Sequence, residues 1–384
     1  MTDLKQSEEM QGLEKRTSVI SGSSPPSVFV SLRNYPRLAI GPMVPELHGD
    51  TSQLDEPERW LGKSFEEILN YRKMLVRGLV NVNRKEVTEP NEKIVRLHEL
   101  LISSTPVDSI LKLSKPPTVK VSLSEFVPPL GPYGEMVELR IFPSNSDRRI
   151  EKVYYDIDMK AEEAIFYLYT HNSSVNTIQK VMSLGMIGLK SKRKIVPTRW
   201  SITAVDEIIG RKLIETVKDY ETIDSYRVYS FEIYRNKYVA ILMPSKWKFE
   251  WIEAWFPSTL WNQDSNGPYI EGDYEGYSGR KDYARVGGCY YSVRLAIAEH
   301  LFHERRQAGA LILREVYPGF FARIGVWNVR ESVRTMMKGK YSSHETFEDA
   351  LLDAMSYLKI RLEEWSKISR IIRQEMLQTK LNGG

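Results

Sequence analysis

The chain has 384 residues, of which 42% are hydrophobic and 27% charged, and its formal net charge is +4. This composition predicts a folded protein with one large domain or two smaller ones. The longest apolar runs, such as YVAILM at 238–243, are too short to cross a bilayer, and the polar N-terminus does not resemble a signal peptide. We therefore expect a cytoplasmic protein that does not bind membranes.

The first half of the chain is predicted to mix strands and helices. Residues 1–27 contain SGSSPPS at 21–27 and no apolar periodicity, which is typical of a flexible tail. Residues 28–265 are predicted to form an N-terminal folded region. Its predicted strands are 28–32, 37–45, 118–123 and 136–142, and its predicted helices are 64–79, 90–103, 158–170 and 174–184.

The second half is richer in strands and ends in helix. Three predicted antiparallel strands, at 226–234, 237–243 and 247–256, are rich in aromatic and branched residues. The Gly- and Asn-rich stretch 262–280 is the predicted boundary, so residues 266–384 form a C-terminal region. That region contains a predicted helix over 281–307, a strand over 310–317 and a long amphipathic helix over 346–380.

These elements predict a mixed α/β (α+β) fold. We expect an antiparallel-rich central sheet with flanking helices and a long C-terminal amphipathic helix. Cys289 is the single cysteine of the chain. It excludes an intrachain disulfide and a zinc site built from cysteines, and we interpret it as a buried apolar side chain.

Positive charge is concentrated in two places. Residues 280–340 hold twelve lysines and arginines against five acids, and LKSKRK at 189–194 adds four cations. Such clusters favour a polyanion, because contacts with phosphates release condensed counterions. A solvated surface of paired ions has the same composition, and the sequence leaves both interpretations open.

The segment KIVPTRWSITAVDE, residues 194–207, combines a helix start with two unexplained side chains. Thr203 and Asp206 fit a capping box, which predicts a helix that begins near Ala204. Capping does not explain Arg199 and Trp200. An arginine can form a fork for phosphate and an indole offers a face for a base, although Trp200 could also belong to the core and Arg199 could pair with an acid.

Our leading hypothesis is a basic surface that contains arginine and tryptophan and binds nucleic acid. Phosphate contacts are expected from the two cation-rich stretches, and base stacking is expected from tryptophans beside them. The predicted binding residues are Lys192, Arg193, Lys194, Arg199, Trp200, Arg280, Arg285, Arg305, Arg306, Arg314, Trp327 and Arg330.

An enzyme acting on a nucleotide or on damaged nucleic acid is the second hypothesis. Strand alternation places Glu253 on the aromatic face of 247–256 and Glu250 on the opposite face. Asp206 and Glu253 are the candidate acid/base or metal-holding groups, with Arg199 and Arg280 as phosphate clamps. No cofactor is predicted, although a divalent metal is possible. Nucleotide-binding, hydrolase and metalloprotease motifs are absent from the sequence, so spacing alone does not predict a reaction.

Several long segments together resemble the archaeal Nre proteins. The resemblance extends from about Val28 to Arg334 and is carried by NYPRLAIGPMVP, LVRGL, VPTRWSITAVDE, WKFEWIEAWFP, GRKDYARVGGCYYSVRLAIAEHL, ERRQAGALILREVYPGF and GVWNVRESVR. It implies a role in the repair of DNA damage, with DNA as a partner. It also implies binding to the sliding clamp PCNA through a short C-terminal peptide.

The sequence departs from the family pattern at both ends. Many members carry an N-terminal four-cysteine zinc motif, whereas the tail of this chain contains no cysteine. The nearest clamp-binding peptide supplies Gln374 and Leu377, but Lys380 and Leu381 stand where aromatic residues belong, which predicts weak clamp binding or none. A third hypothesis is an adaptor that recruits the clamp or other repair factors through the long terminal helix.

Overall fold

A computed structural model describes residues 17–32, 35–263, 266–320 and 323–382. The chain divides into two compact units. The first extends to Ile208 and includes Arg323–Gly325, and the second comprises Ile209–Ala322 and Val326–Gly384. The mixed α/β class predicted from the sequence is confirmed, with one six-stranded sheet in each unit.

Twelve strands are found in the described parts of the chain. They are β1 Val19–Ser24, β2 Val28–Val30, β3 Arg37–Val44, β4 Val76–Asn83, β5 Val107–Leu113, β6 Tyr133–Ile141, β7 Tyr226–Ile233, β8 Asn236–Met243, β9 Lys248–Trp255, β10 Tyr269–Glu275, β11 Gly309–Val316 and β12 Tyr341–His344. The order in the first unit is β1-β5-β6-β4-β3-β2, and the order in the second is β10-β9-β11-β8-β7-β12.

The same residues contain eleven α-helices. They are α1 Phe65–Met74, α2 Glu92–Ile102, α3 Arg148–Tyr155, α4 Ala161–Thr170, α5 Val175–Ser183, α6 Thr198–Val217, α7 Gly288–Glu304, α8 Trp327–Met337, α9 Phe347–Ser356, α10 Leu362–Ile368 and α11 Arg370–Asn382. Polar side chains cap the N-termini of several helices. Ser64 and Glu67 form a capping box at α1, and Asn91, Asp147, Ser174 and Thr346 cap α2, α3, α5 and α9. No helix in these ranges is long and apolar enough to span a bilayer.

Three predictions in the first unit are wrong. Part of the predicted tail forms β1, which pairs with β5. The helix predicted over 64–79 ends at Met74, and the chain continues as β4, which approaches β3 so closely that a side chain on Gly41 would meet the Gly78 carbonyl. Residues 118–123 form isolated bridges rather than a strand.

Alternation along two neighbouring strands organises the second unit. β9 and β11 run parallel, and Glu253 lies opposite Arg314 in their register. Glu253 accepts a hydrogen bond from Trp251, whereas Glu250 bonds to Ser369 beyond the other face of the sheet. The prediction that Glu253 shares the aromatic face and Glu250 points away from it is therefore confirmed.

The long helix predicted over 346–380 is instead three helices, α9, α10 and α11. Two buried carboxylates account for the interruptions. Glu315 accepts hydrogen bonds from the backbone N–H groups of Lys359 and Ile360, after α9 ends. Glu250 accepts from the Ser369 hydroxyl and from two backbone N–H groups at the start of α11. These backbone N–H groups bond to the carboxylates instead of to helix carbonyls, because a buried carboxylate without hydrogen-bond partners would cost more free energy.

Candidate nucleic-acid interface

The segment with Arg199 and Trp200 forms the first turn of α6. The helix begins at Thr198, earlier than predicted, and the Thr198 hydroxyl accepts a hydrogen bond from the backbone N–H of Val30 at 2.9 Å. Asp206 therefore lies inside the helix and is fully buried, where it accepts a bond from the Gln179 amide at 3.1 Å. The predicted capping box is wrong, and the two residues that capping could not explain are exposed.

Trp200 forms an exposed aromatic pair with Tyr35. The indole is 44% exposed and the phenol 41%, and their ring centroids lie 5.2 Å apart at an angle of 59°. The Arg84 guanidinium lies 5.5 Å from the Tyr35 ring centroid and donates a hydrogen bond to its hydroxyl. Tyr35, Arg84 and Trp200 are called the aromatic platform below. Its two rings are partly exposed to solvent beside a permanent cation.

Arg199 lies next to the platform residue Trp200 in sequence and has its own support. Its guanidinium carbon is 3.4 Å from the centroid of the Phe126 ring. Burial raises the pKa of the neighbouring Glu125 carboxyl, although Arg323 and Arg199 oppose this rise. Lys194 and Lys192 are exposed on the segment that leads into α6. The backbone N–H of Ile195 donates to the Arg84 carbonyl at 2.9 Å, which fixes this segment beside the end of β4.

Four residues predicted to contact nucleic acid are interior residues. In the first unit, the buried Arg193 donates to the backbone carbonyls of Gly188, Tyr154 and Asp156. Such bonds hold the guanidinium against backbone carbonyls of the first unit. The other three, Arg314, Trp327 and Arg330, lie in the second unit and have between 1% and 3% of their surface exposed. Their assignment to a binding surface is corrected, because buried groups do not reach a polyanion.

Arg314 is the centre of a closed cluster. Its guanidinium donates to Asn236 at 2.9 Å and to Glu253 at 3.2 Å. The same carboxylate accepts from the indole N–H groups of Trp251 and Trp255, each at 3.1 Å. The guanidinium also lies 5.3–5.5 Å from the centroids of three aromatic rings, Tyr238, Trp255 and Phe320. This arrangement neutralises and desolvates every charge in it.

The remaining predicted arginines of the second unit lie on loops. Arg280 donates to Asp273 at 3.0 Å and anchors the loop after β10. Arg285 is exposed, with its closest carboxylate contact to Asp273 at 3.9 Å. Arg305 and Arg306 follow α7 and are both exposed. Arg280 therefore hydrogen-bonds to a buried carboxylate, whereas Arg285 reaches the same carboxylate only at the longer distance.

The two candidate catalytic acids have structural partners. Asp206 belongs to the first unit and bonds to Gln179, and Glu253 belongs to the second and bonds to Arg314. Neither therefore provides a free base. Across the described residues, no group of three or more His, Cys, Asp or Glu side chains is arranged to hold a metal ion.

A polar cavity of about 130 Å³ lies in the first unit, between Asp55, Asp147 and the start of α5. Lys180 is its most buried cation. Its ammonium group is 2.5 Å from the Asp55 carboxylate and bonds to the carbonyls of Asp55 and Pro26. Since these acceptors occupy the ammonium donors, the cavity does not present a free positive charge.

Comparison with known proteins gives the family. Residues 1–262 match the family model for the N-terminal region of archaeal Nre proteins, and residues 275–383 match the model for their C-terminal region. The chain belongs to the archaeal Nre family. No solved structure matches it.

Three curated Nre proteins are similar to the chain over most of its length. DNA repair protein NreB of Archaeoglobus fulgidus is 42% identical, and the alignment covers 96% of this chain and 94% of that protein. DNA repair protein NreA of the same organism is 35% identical, with 91% and 88% covered. DNA repair protein NreA of Haloferax volcanii is 33% identical, with 89% and 84% covered.

Within the Nre fold, the sequence alone did not indicate two members of the platform. Tyr35 and Arg84 lie far from Trp200 in the chain, and neither belongs to a cation-rich stretch. The signal for Tyr35 was present only as part of the family segment NYPRLAIGPMVP. The candidate clamp peptide lies in α11, where Leu377 is exposed, while the side chain of Leu381 lies outside the described part of the chain. Clamp binding by Gln374, Leu377 and Leu381 stays a prediction.

Proposed function

We propose that this Nre protein acts in DNA repair by binding single-stranded DNA at the aromatic platform. The observation that carries the proposal is the exposed Trp200–Tyr35 pair, with Arg84 against the Tyr35 ring and Arg199 next to Trp200 in the chain. Large aromatic rings are normally buried, and two that remain exposed in contact suit a ligand with a flat apolar face. An unpaired base has such a face.

The surrounding charges favour a base that carries phosphates. Arg84 and Arg199 are both held by aromatic rings, so little side-chain freedom is lost when they contact an anion. Lys194 adds a flexible cation, and the start of the 20-residue helix α6 adds the partial positive charge of a helix N-terminus. Stacking on aromatic side chains combined with cations along the backbone is the common way to bind single strands without sequence preference.

The repair role is supported by the relatives. All three similar proteins are named DNA repair proteins, and one of them shares 42% of its aligned residues with this chain. Repair intermediates contain unpaired or damaged bases, which leave the helical stack more readily than paired bases do. A platform for an exposed base is consistent with that role.

Binding of labelled oligonucleotides by fluorescence anisotropy tests the proposal. We expect the wild-type protein to bind a single strand more tightly than a duplex of the same sequence. Trp200→Ala should weaken single-strand binding by roughly 1–3 kcal/mol, the usual contribution of one stacked base. Trp200→Phe should retain most of the affinity because it keeps a ring face.

Trp261→Ala is the matched control, since Trp261 is also exposed but belongs to the second unit. The proposal is wrong if the Trp200→Ala and Trp261→Ala variants bind the single strand equally well, or if no binding occurs at low salt. A parallel titration with single-stranded RNA determines whether the 2′-hydroxyl matters.

A further inference from the structure

One end of the sheet in the second unit carries cations that lack acidic partners. Lys218 follows α6, and Lys246 lies in the turn between β8 and β9. Both ammonium groups lie over the ring of Tyr277, at 4.7 Å and 5.9 Å from its centroid. Within the residues that the structure describes, neither lysine forms an ion pair.

Two like charges on one ring repel each other, and a cation–π contact does not neutralise them. Tyr277 is held at this position by a tight turn, in which the Gly279 N–H donates to the Gly276 carbonyl at 2.9 Å. The phenol is half-exposed, so the two lysines face solvent on a fixed support. An anion placed between them would relieve the repulsion.

An aromatic cleft begins at Tyr220, two residues after Lys218. It has a volume of about 390 Å³ and is lined by Tyr220, Phe302, His303 and Arg305. The Tyr220 and Phe302 ring centroids are 6.4 Å apart. Tyr220 and Lys218 belong to the same turn, and the Gln307 side-chain amide donates to both of their carbonyls at 3.0 Å. Gln307 therefore fixes Lys218 of the lysine pair and Tyr220 of the cleft in one turn.

The backbone conformation and the surroundings of Arg305 are a separate indication of a ligand. It ends α7 in the left-handed conformation, with φ 53° and ψ 46°, where glycine is the favoured residue. No hydrogen bond or ion pair to its guanidinium occurs in the described parts of the chain, whereas Arg306 contacts Glu221 at 3.8 Å. An arginine therefore occupies a backbone conformation that disfavours it, and its guanidinium has no partner among the residues that the structure describes.

We propose that this cleft binds a nucleotide, with the base against Tyr220 and Phe302 and phosphates at Arg305 and at the pair Lys218–Lys246. Aromatic walls recognise the base, and unpaired cations on fixed supports recognise the phosphates. The same chemistry is offered by a free mononucleotide and by an unpaired nucleotide within a strand. The cleft lies in the second unit and does not depend on the aromatic platform.

The test uses the full chain and a fluorescent oligothymidylate, with unlabelled adenosine monophosphate as competitor. Replacing Lys218 and Lys246 together by Gln should weaken binding roughly tenfold. It should also reduce the slope of log affinity against log salt by about 0.7, because the two lysines share one phosphate and each phosphate contact with a single strand contributes about 0.7. The matched control replaces Arg361 and Lys367 by Gln. These cations are near Glu363 and Glu364, so the control should change neither the affinity nor the salt slope.

Arg305→Gly separates binding from folding. The variant should melt at the same temperature as wild type or higher, because glycine relieves the left-handed backbone, and yet it should bind the probe less tightly. Asp219→Asn should increase affinity, since Asp219 is the exposed acid of the same turn. Competition by the mononucleotide at concentrations that match the oligonucleotide would identify the free nucleotide as ligand.

The same variants in a Trp200→Ala background distinguish this inference from the proposed function. Loss of binding on changing the lysine pair, with no effect of Trp200→Ala, would support the cleft and reject the platform. Unchanged affinity and unchanged salt slope in the lysine variant, with intact folding by circular dichroism, would overturn the inference.

Discussion

The aromatic platform of the first unit and the cluster around Arg314 in the second use the same residue types in opposite ways. Both place a guanidinium about 5.5 Å from an aromatic ring centroid and close to a tryptophan. In the cluster, a carboxylate completes the set and water is excluded. In the platform, the rings stay exposed, and no carboxylate of the described chain forms an ion pair with Arg84 or Arg199.

Strand register explains much of this difference. Glu253 and Arg314 lie opposite each other on parallel strands, so the pairing follows directly from the fold. Arg199 instead lies in the first turn of a helix, where its charge opposes the rise in the pKa of the Glu125 carboxyl. An arginine beside a tryptophan is therefore a binding candidate only where the fold does not supply its counterion.

The largest effect is expected from breaking the closed cluster. Glu253→Ala removes the carboxylate that neutralises Arg314 and accepts two indole bonds. We expect the free energy of unfolding of the second unit to fall by about 3–5 kcal/mol, because an uncompensated charge remains buried. Urea unfolding followed by tryptophan fluorescence measures this change.

The double variant Glu253→Ala with Arg314→Met removes both charges of the pair. It should recover much of the lost free energy of unfolding, since a buried ion pair is often replaceable by apolar residues. A loss below about 1 kcal/mol in Glu253→Ala would show that water reaches the cluster, and the contrast with the platform would then be wrong.

Burial should also govern the response to pH in the first unit. Burial lowers the pKa of His98 from 6.5 to about 4, with a smaller contribution from Arg193. The folded state therefore binds this proton less tightly than the unfolded state, and stability falls as the pH decreases from 6.5 towards 4. Between about pH 7 and pH 5, the expected loss is about 2 kcal/mol.

Unfolding of wild type and of His98→Gln at several pH values tests this prediction. The variant should lose most of the dependence above about pH 5, below which carboxylates also titrate. His48→Gln, which changes an exposed histidine in the same way, serves as the comparison variant. Identical curves for all three proteins would argue against a buried neutral His98.

A matched conservative substitution compares the two regions directly. Arg314→Lys should cost roughly 1–2 kcal/mol of stability, because lysine cannot reproduce the bonds to Asn236 and Glu253 while contacting three rings. Arg199→Lys should cost less than about 0.5 kcal/mol, as is usual at exposed positions. Thermal unfolding of both variants provides the measurement, and equal costs would remove the distinction.

The smallest effect concerns salt. Replacing Arg84 and Arg199 together by Gln should decrease the slope of log affinity against log salt for single-stranded DNA by about 1.4. Arg96→Gln with Arg140→Gln removes the same charge from arginines that already pair with glutamates, and should leave the slope unchanged. Equal slopes in both double variants would mean that neither platform arginine contacts a phosphate.

The sequence predicts local structure well where a single hydrophobic periodicity dominates a segment. The alternation of 247–256 places Glu253 and Glu250 on the correct faces, and most strands of the second unit are recognised. It fails where partners come from distant segments. The interruptions of the C-terminal helices depend on Glu250 and Glu315, which lie more than forty residues earlier in the chain.

The candidate site shows the same limit. Arg199 and Trp200 were identifiable because capping did not account for them, but Tyr35 and Arg84 join them only through the fold. Arg193, Arg314 and Arg330 looked equivalent to exposed arginines, because composition does not reveal which cations are enclosed. Lys218, Lys246 and Tyr277 come from three separate turns, and their spacing in the sequence does not indicate that they are in contact.

Glu250 and Glu315 also constrain how the gene can change. Because both carboxyl groups accept hydrogen bonds from N–H donors in the last segment of the chain, a deletion that removes residues after Tyr357 would leave them without these donors against an apolar sheet. A shortened descendant could remain folded only if both positions became apolar at the same time. Their identities and the presence of the terminal segment should therefore be inherited together.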